Sequence, residues 1–419
     1  MLITNEEPSE KINPFISSLS VLNFLFALTM NVFGYTIFYL LEKSNISLIY
    51  GGLGTSIGQL ILLFILIPQG RFIDKGKSYT LMILGALVYG FMIVLIFIDS
   101  LNIMLYSGVI MAAGIGIVLV SQNTFKSSLS SFIGKAIKLS LVGRNYSRII
   151  LMEMLGGTAA MFTVAAAVVF STFRIIYLIS GVFLLIATLA AFFILFPENR
   201  KMVLESERKT KRPGFMESVH ALSSKKRFVV PLLLTKIFMA IGVYVVSYFF
   251  IISGQKIDIS PVYAIIALGI GFALSVPFGL YGEKFVDAHP NVGKAYVVVI
   301  ALLDLGMYSF LAAAFFLSQP VLFYLSLGFS APGPVFVAGG MTYELKIIGK
   351  ENRGMFTAIQ RTLVGITYIL IGIPFAFIFT VDFRLIWYVL LVLSVGTLLF
   401  SLLLPSGEYV RKHFSLPEE

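Results

Sequence analysis

Residues 68–76 read PQGRFIDKG and residues 277–285 read PFGLYGEKF, and each stretch ends a long apolar run. Aligned with each other, they share a Pro, a Gly, an acid and a Lys at one offset of 209 positions: Pro68, Gly70, Asp74 and Lys75 against Pro277, Gly279, Glu283 and Lys284. Other landmarks recur at nearly the same spacing, among them FRIIY from Phe173 and FRLIW from Phe383. A shared offset indicates that one half of the chain duplicates the other.

The composition is that of a membrane protein. Of 419 residues, 58% are hydrophobic and 12% charged, and the mean hydropathy is +0.94. Apolar runs of about 20 residues recur, each long enough to cross a hydrocarbon core as a helix. Twelve spans are predicted, at about 16–41, 46–69, 79–98, 102–127, 148–172, 175–196, 228–253, 260–280, 295–318, 320–343, 355–380 and 384–404.

The distribution of basic residues predicts the orientation. Of the 31 Lys and Arg residues, four lie on the side opposite the termini and two lie well inside spans, which leaves 25 on or near the side of the termini. Positive residues stay cytoplasmic during insertion, so both termini are expected to be cytoplasmic. The orientation in the membrane therefore accounts for the excess of basic residues behind the formal charge of +10. We expect no binding to nucleic acid.

The duplication predicts an all-α membrane protein of two pseudo-symmetric six-helix bundles with the same orientation. The most polar connection, residues 197–227, is interpreted as a cytoplasmic linker between them. The expected organisation, in order, is a cytoplasmic tail (1–13), the first bundle (14–196), the linker (197–227), the second bundle (228–405) and a second tail (406–419).

The stretch PQGRFIDKG is expected to form the cytoplasmic turn between spans 2 and 3. Gly70 would permit close backbone approach, and Asp74 would place a carboxylate where positive helix N-termini gather. Such an acid would hold the cytoplasmic side closed with about 1 kcal/mol. One latch in each half suits a protein that alternates between inward and outward states.

At this point the chain resembles the major facilitator superfamily of secondary transporters. The family's loop between helices 2 and 3 has a Gly, an Asp four residues later, a basic residue, and then a Gly with further basic residues. This sequence supplies Gly70, Asp74, Lys75, Gly76 and Lys77, with the second Gly one position early. The equivalent gating residues of the second half are Gly279, Glu283 and Lys284. The resemblance covers essentially the whole chain.

The resemblance implies a substrate cavity lined by helices 1, 4, 7 and 10. The chain departs from the family in two places, which weigh against a proton-driven drug exporter. Ile110 stands where proton-coupled members carry an Arg four residues before a GxG, and span 5 has no proline.

Four charged residues fall well inside spans, away from the predicted ends: Glu153, Lys236, Asp304 and Arg361. Each would cost about 2.5–3.5 kcal/mol at a helix centre, so each should face protein or water. Lys236 is interpreted either as an anchor for an anionic group of the substrate or as a lysine that pairs with Asp304 or snorkels. Glu153 and Arg361 are equivalent in the two halves and either form part of a cytoplasmic gate or pair locally, with residues such as Arg148 or Glu351. Glu153 and Asp304 are the candidate carboxylates if protons drive transport.

Polar side chains on the presumed cavity helices are few. The candidates for contact with substrate, besides Lys236, are Asn31, Tyr35, Tyr244, Tyr248 and Ser330. These side chains could equally form hydrogen bonds between helices instead of contacting the substrate. The sequence SAPGPVF, from Ser330 to Phe336, predicts a break in span 10.

The leading hypothesis is a secondary transporter that moves a small solute, with an anion as one candidate, by alternating access. Alternatives are an efflux carrier for amphipathic compounds and a non-transporting receptor with the same fold. An enzyme is not expected, since no span offers a His or Cys cluster or a nucleophile with a base, and no GxxxxGK[ST] loop occurs. The expected setting is a monomer in the plasma membrane, surrounded by lipid, without cofactor or metal, and with a proton or ion as a candidate co-substrate.

Overall fold

A computed structural model describes residues 14–74, 77–101, 107–136, 142–170, 172–207, 220, 222–288, 293–348 and 353–414. Within these residues, twelve helices are long and apolar enough to cross a membrane. Spans 1 to 9 are, in order, Pro14–Lys43, Leu48–Asp74, Ser78–Ser100, Ser107–Ala136, Val142–Val169, Ile175–Glu207, Lys226–Gln255, Pro261–Ala288 and Lys294–Leu317. Span 10 is a broken helix, and spans 11 and 12 are Arg353–Val381 and Arg384–Leu402. A short helix, Gly407–Phe414, follows.

The predicted duplication is confirmed by how the helices pack. In the first half span 1 packs against spans 5 and 6, span 4 against spans 2 and 3, and span 3 against span 6. The second half repeats each of these contacts six spans later. Between the halves, span 2 packs on span 11, span 5 on span 8, and span 1 on span 7. These contacts are related by the same pseudo-symmetry, because span 8 is the equivalent of span 2 and span 11 that of span 5.

Two equivalent turns show the duplication locally. After span 1 the chain turns through Asn45 at φ 55°, and after span 7 through Asp258 at φ 61°. Asn and Asp enter this left-handed region more easily than most residues. In each turn a backbone N–H reaches back five residues to cap the helix, from Ile46 to Leu41 O at 2.9 Å and from Ile259 to Gly254 O at 3.0 Å. We call the end that holds these turns the distal end, and the end where span 1 begins and span 12 ends the terminal end.

The expectation that PQGRFIDKG forms a turn is wrong for most of its length. The helix of span 2 continues through Pro68 to Asp74, and that of span 8 continues through Pro277 to Ala288. A proline removes one backbone hydrogen bond, and the rest of the ladder continues across it. The acids of the two motifs therefore stand on helical extensions of spans 2 and 8.

The predicted break in span 10 is confirmed. A helix at Pro320–Ser326 passes into a 3₁₀ turn at Leu327–Ser330, and a second helix runs over Gly333–Ile348. Pro332 and Pro334 cause the break, because neither has an N–H to give to a carbonyl one turn earlier.

A second apolar cluster lies at the terminal end of the second half. It joins the last part of the linker, spans 7 and 10, and the C-terminal helix, and includes Leu222, Ile347 and Val410. Lys225 Nζ donates to Ile347 O at 2.9 Å, and burial lowers the pKa of this ammonium. The linker is thus fastened to span 10 where it enters the second half.

Candidate functional site

The two halves meet at the distal end through aromatic side chains. The Phe38 ring of span 1 lies 5.0 Å from that of Tyr248 and 4.9 Å from that of Phe249, both on span 7. Phe249 also lies 5.1 Å from Phe379 of span 11. We call Phe38, Tyr248, Phe249 and Phe379 the distal aromatic cluster. Since Phe38 and Phe249 are both 0% exposed, the cluster closes the path between the halves at this end.

Beside the cluster, spans 2 and 11 touch backbone to backbone. A Cβ placed on Gly52 would lie 2.5 Å from the carbonyl oxygen of Gly372, so only glycine permits the contact. One turn further on, Ser56 Oγ donates to Ile369 O at 3.1 Å. The distal end is therefore tightly closed between the halves.

At the terminal end, the interior carries charged side chains instead. Lys236 Nζ of span 7 lies 3.0 Å from Glu344 Oε2 of span 10, and the side chains are 24% and 15% exposed. Spans 7 and 10 also meet through apolar side chains, with Phe250 stacked on Phe323 at the distal end and the cluster of Leu222, Ile347 and Val410 at the terminal end. The ion pair adds a polar link between these two helices, and Lys236 pairs with Glu344 rather than with Asp304.

A second set of charges lies around span 4. Lys126 Nζ is 3.7 Å from Glu153 Oε1 of span 5, and these side chains are 37% and 26% exposed. Arg361 of span 11 donates from Nη1 to the hydroxyl of Ser127. Glu153 and Arg361 thus meet neighbouring residues of span 4, one from each half. These contacts run to span 4, and the local partners named as the alternative, Glu351 and the side chain of Arg148, lie outside the described residues.

The predicted cavity residues fall into different settings. Asn31 is buried and donates from Nδ2 to Ala27 O at 2.7 Å within its own helix. Tyr35 is half-buried, edge-on to Phe272 of span 8 at 5.6 Å. Tyr244 and Tyr248 are buried, with ring centroids 4.8 Å apart. Ser330 donates to Leu327 O at 2.7 Å in the 3₁₀ turn.

These settings separate two groups among the predicted residues. Tyr248 belongs to the distal aromatic cluster, and Tyr244 stacks beside it. Tyr35 and Lys236 keep partly exposed side chains.

The gating motif is described only in part. Lys75 and Gly76 lie outside the described residues, as do the side chains of Asp74, Glu283 and Lys284 and the surroundings of Gly70. The ammonium of Lys77, just before span 3, lies 5.5 Å from the Phe72 ring. Gly279 lies against span 5, since an added Cβ would be 3.8 Å from Leu151 Cδ1. The second motif therefore stands at a contact between the halves.

Three residues that the sequence did not single out belong to the site: Lys126, Glu344 and Tyr308. Lys126 is one position inside the predicted end of span 4, and Glu344 is one position beyond that of span 10. Tyr308 on span 9 reaches Gly242 of span 7, where an added Cβ would overlap its hydroxyl. A charge at a span boundary was a usable signal for the first two. In the described residues, no group of three or more His, Cys, Asp and Glu side chains could hold a metal ion.

A sequence model of the Major Facilitator Superfamily matches residues 19–370. The chain belongs to this superfamily. Its fold and family are those of secondary transporters that move solutes by alternating access, as multi-pass proteins of a membrane. None of the curated proteins searched matches the sequence.

Solved structures of other superfamily members have the same fold. A D-xylose–proton symporter has a TM-score of 0.67 at 13% identity, over 94% of this chain and 99% of that one. A bacterial homologue of the human lysosomal transporter Spinster, inward-facing and unoccupied, has a TM-score of 0.68 at 14% identity. The match covers 97% of this chain and 98% of that one. The nucleoside transporter NupG has a TM-score of 0.62 at 14% identity, over 96% of this chain and 100% of that one. At these identities the likeness concerns the fold of the superfamily alone.

Proposed function

We propose that this transporter carries a small organic anion across the plasma membrane as a monomer, and that Lys236 binds the anionic group. The Lys236–Glu344 pair is the observation that supports the proposal. It links spans 7 and 10 through two charged side chains that stay 24% and 15% exposed, on the terminal side of the interior. An anion that takes the place of Glu344 would keep the ammonium neutralised, so the exchange avoids the cost of an unpaired buried charge.

The terminal end is proposed to be the cytoplasmic one, because 25 of the 31 Lys and Arg residues lie on or near that side. The closed distal aromatic cluster then faces outward, and the charged side chains are reached from the cytoplasm. The bundles are proposed to be residues 14–196 and 228–405.

The first test measures binding by the thermal shift of purified protein with a sugar acid and with the neutral sugar of the same skeleton. The sugar acid is expected to stabilise the protein and the neutral sugar is not. Lys236→Met should abolish the shift. Glu344→Gln should enlarge the shift, because it removes the group that competes for Lys236. The affinity for the sugar acid should rise about 5-fold or more.

The opposite signs separate binding from a structural role. If the pair only holds spans 7 and 10 together, both variants lose stability and neither changes the ratio between acid and neutral sugar. Uptake of the same sugar acid into vesicles with reconstituted protein distinguishes a carrier from a receptor, which would bind the acid without moving it. Equal shifts for acid and sugar would argue against the anion.

An efflux carrier for amphipathic compounds is the second candidate. The aromatic contacts between the halves favour it, notably those of Phe38 with Tyr248 and of Tyr35 with Phe272. In the same thermal-shift assay an amphipathic cation would then stabilise the protein more than the sugar acid does, and Lys236→Met would leave that shift unchanged.

The latch proposed for Asp74 predicts a smaller effect. Asp74→Asn should slow transport about 5-fold, because a carboxylate at a helix N-terminus contributes about 1 kcal/mol to the state with the terminal end closed. Expression and thermal stability should stay near those of the parent. The rate of vesicle uptake checks this, with Glu408→Gln, an exposed acid of the C-terminal helix outside the motif, as the control. Unchanged turnover in Asp74→Asn would remove Asp74 from the gate.

A further inference from the structure

Asp304 lies near the middle of span 9 on its buried face. Ala301, Tyr308, Leu311 and Phe315 share that face at helical spacing and are buried. Asp304 itself is half-buried. Within the described part of the chain it has neither a hydrogen bond nor an ion pair, which sets it apart from Glu153, Lys236 and Arg361.

Tyr308 connects this carboxyl group with the interface between the halves. It stands one helical turn after Asp304, and its hydroxyl is packed against Gly242 of span 7, where no side chain blocks it. The hydroxyl lies near Asp304 and near the hydroxyl groups of Tyr35 on span 1 and Tyr368 on span 11. A single side chain therefore joins a carboxyl group on an outer helix to both halves of the protein.

No cation among the described residues faces Asp304. The packed part of span 10 at this level is the 3₁₀ turn, where Phe329 packs against Gly306. Span 12 has no titratable side chain after Tyr388. On span 7, Lys236 is six residues from Gly242, about 9 Å along the helix, and is already paired with Glu344. The titratable neighbours are the tyrosines Tyr308, Tyr35 and Tyr368.

We propose that Asp304 is a proton-binding site, and that Tyr308 transmits its protonation to the contact between the halves. An ionised carboxylate accepts a hydrogen bond from the Tyr308 hydroxyl and draws it away from Tyr35 and Tyr368. When the carboxylate takes up a proton, it becomes a neutral acid, the charge that is costly at this depth disappears, and the hydroxyl turns to its tyrosine neighbours. A carboxylate with one hydroxyl offers too few oxygen ligands for a metal cation. The inference adds a coupling ion to the proposed anion transport and rests on it for its role in transport.

Infrared spectroscopy of the purified protein in lipid nanodiscs tests the site directly. The carbonyl band of a protonated buried acid is expected at acidic pH and is lost as the pH is raised. Asp304→Asn should remove this band. Asp99→Asn is the matched control, because Asp99 is 1% exposed and its carboxylate has no hydrogen-bond partner among the described residues. Persistence of the titrating band in Asp304→Asn, or its loss only in Asp99→Asn, would overturn the proposal.

The link through Tyr308 has its own readout. The chain contains no cysteine, so spin labels can be attached at Ser47→Cys and Ser260→Cys, two exposed positions in the equivalent distal turns. The label distance should change with pH in this parent, and Asp304→Asn should hold it at the acid-form value at every pH. Tyr308→Phe should keep the infrared band and lose the pH dependence of the distance. A pH-dependent distance in Asp304→Asn equal to that of the parent would contradict the link.

These outcomes are independent of the anion. If the sugar acid fails to bind while the Asp304 band titrates, the proposed substrate is wrong and the proton site stands. If the sugar acid binds and is transported while no band depends on Asp304, the proton site is wrong and the proposed substrate stands.

Discussion

Gly52→Val is expected to open the distal end of the transporter. The new side chain would have to occupy the place of the Gly372 carbonyl, since even a Cβ would lie 2.5 Å from that oxygen. Overpacking of this kind costs about 1–3 kcal/mol. The ratio of distal-closed to distal-open molecules should fall about 5- to 150-fold. The spin-label pair at positions 47 and 260 should report a longer distance at constant pH, and transport should slow because the closed state is part of the cycle.

Two glycines provide matched controls for this prediction. Nothing lies within 4 Å of a Cβ on Gly34, so Gly34→Val should leave the label distance as in the parent. A Cβ on Gly58 would meet the Gly116 carbonyl oxygen at 2.7 Å, which is a contact inside the first half. Gly58→Val should therefore lower thermal stability without lengthening the distance selectively. An unchanged distance in Gly52→Val would show that the contact of spans 2 and 11 does not hold the distal end closed.

Lys236→Met is expected to lower the thermal stability of the protein more than the loss of any other described ion pair. It leaves the carboxylate of Glu344, which is 15% exposed, without its cation, at a cost of about 1–3 kcal/mol. Lys236→Met combined with Glu344→Met should recover most of this loss, because a buried pair replaced by apolar side chains is often neutral. The apparent melting temperatures of the two single variants and the double variant check the prediction.

The pair Lys126–Glu153 is the control for the second prediction. Its atoms are 3.7 Å apart and its side chains are 37% and 26% exposed, so water screens the charges and the pair contributes about 0–1 kcal/mol. Lys126→Met should thus change the melting temperature less than Lys236→Met does. If the double variant at 236 and 344 is no more stable than Lys236→Met alone, the loss of stability does not come from the unpaired carboxylate of Glu344.

The architecture follows from local properties of the sequence. An apolar run of sufficient length has to form a helix in lipid, because its backbone groups find no other partners there. Twelve such runs and an offset of 209 positions therefore predict both the spans and their duplication. The break in span 10 is equally local, since Pro332 and Pro334 remove two N–H groups wherever the helix lies.

The partners of the charged residues could not be predicted in the same way. Glu153, Lys236 and Arg361 were identified from depth in their spans, and the expected partners were near in sequence or in span order. The structure pairs Lys236 with Glu344 and Glu153 with Lys126, and it sets Arg361 against Ser127. Each of these contacts depends on the rotation of two helices about their axes. Spans that are highly hydrophobic on every face do not specify that rotation.

By itself, then, the sequence determined the number of spans, their two-fold repetition, and which positions carry a charge within the bilayer, because each of these depends on hydrophobicity along the chain. Only the tertiary structure decided that the distal end is closed by Phe38, Phe249 and the Gly52–Gly372 contact, and that the Tyr308 hydroxyl packs against Gly242. Those features depend on side chains from helices far apart in the chain that meet at distances of a few ångströms. Packing between whole bundles sets such distances, and no single stretch of sequence contains them.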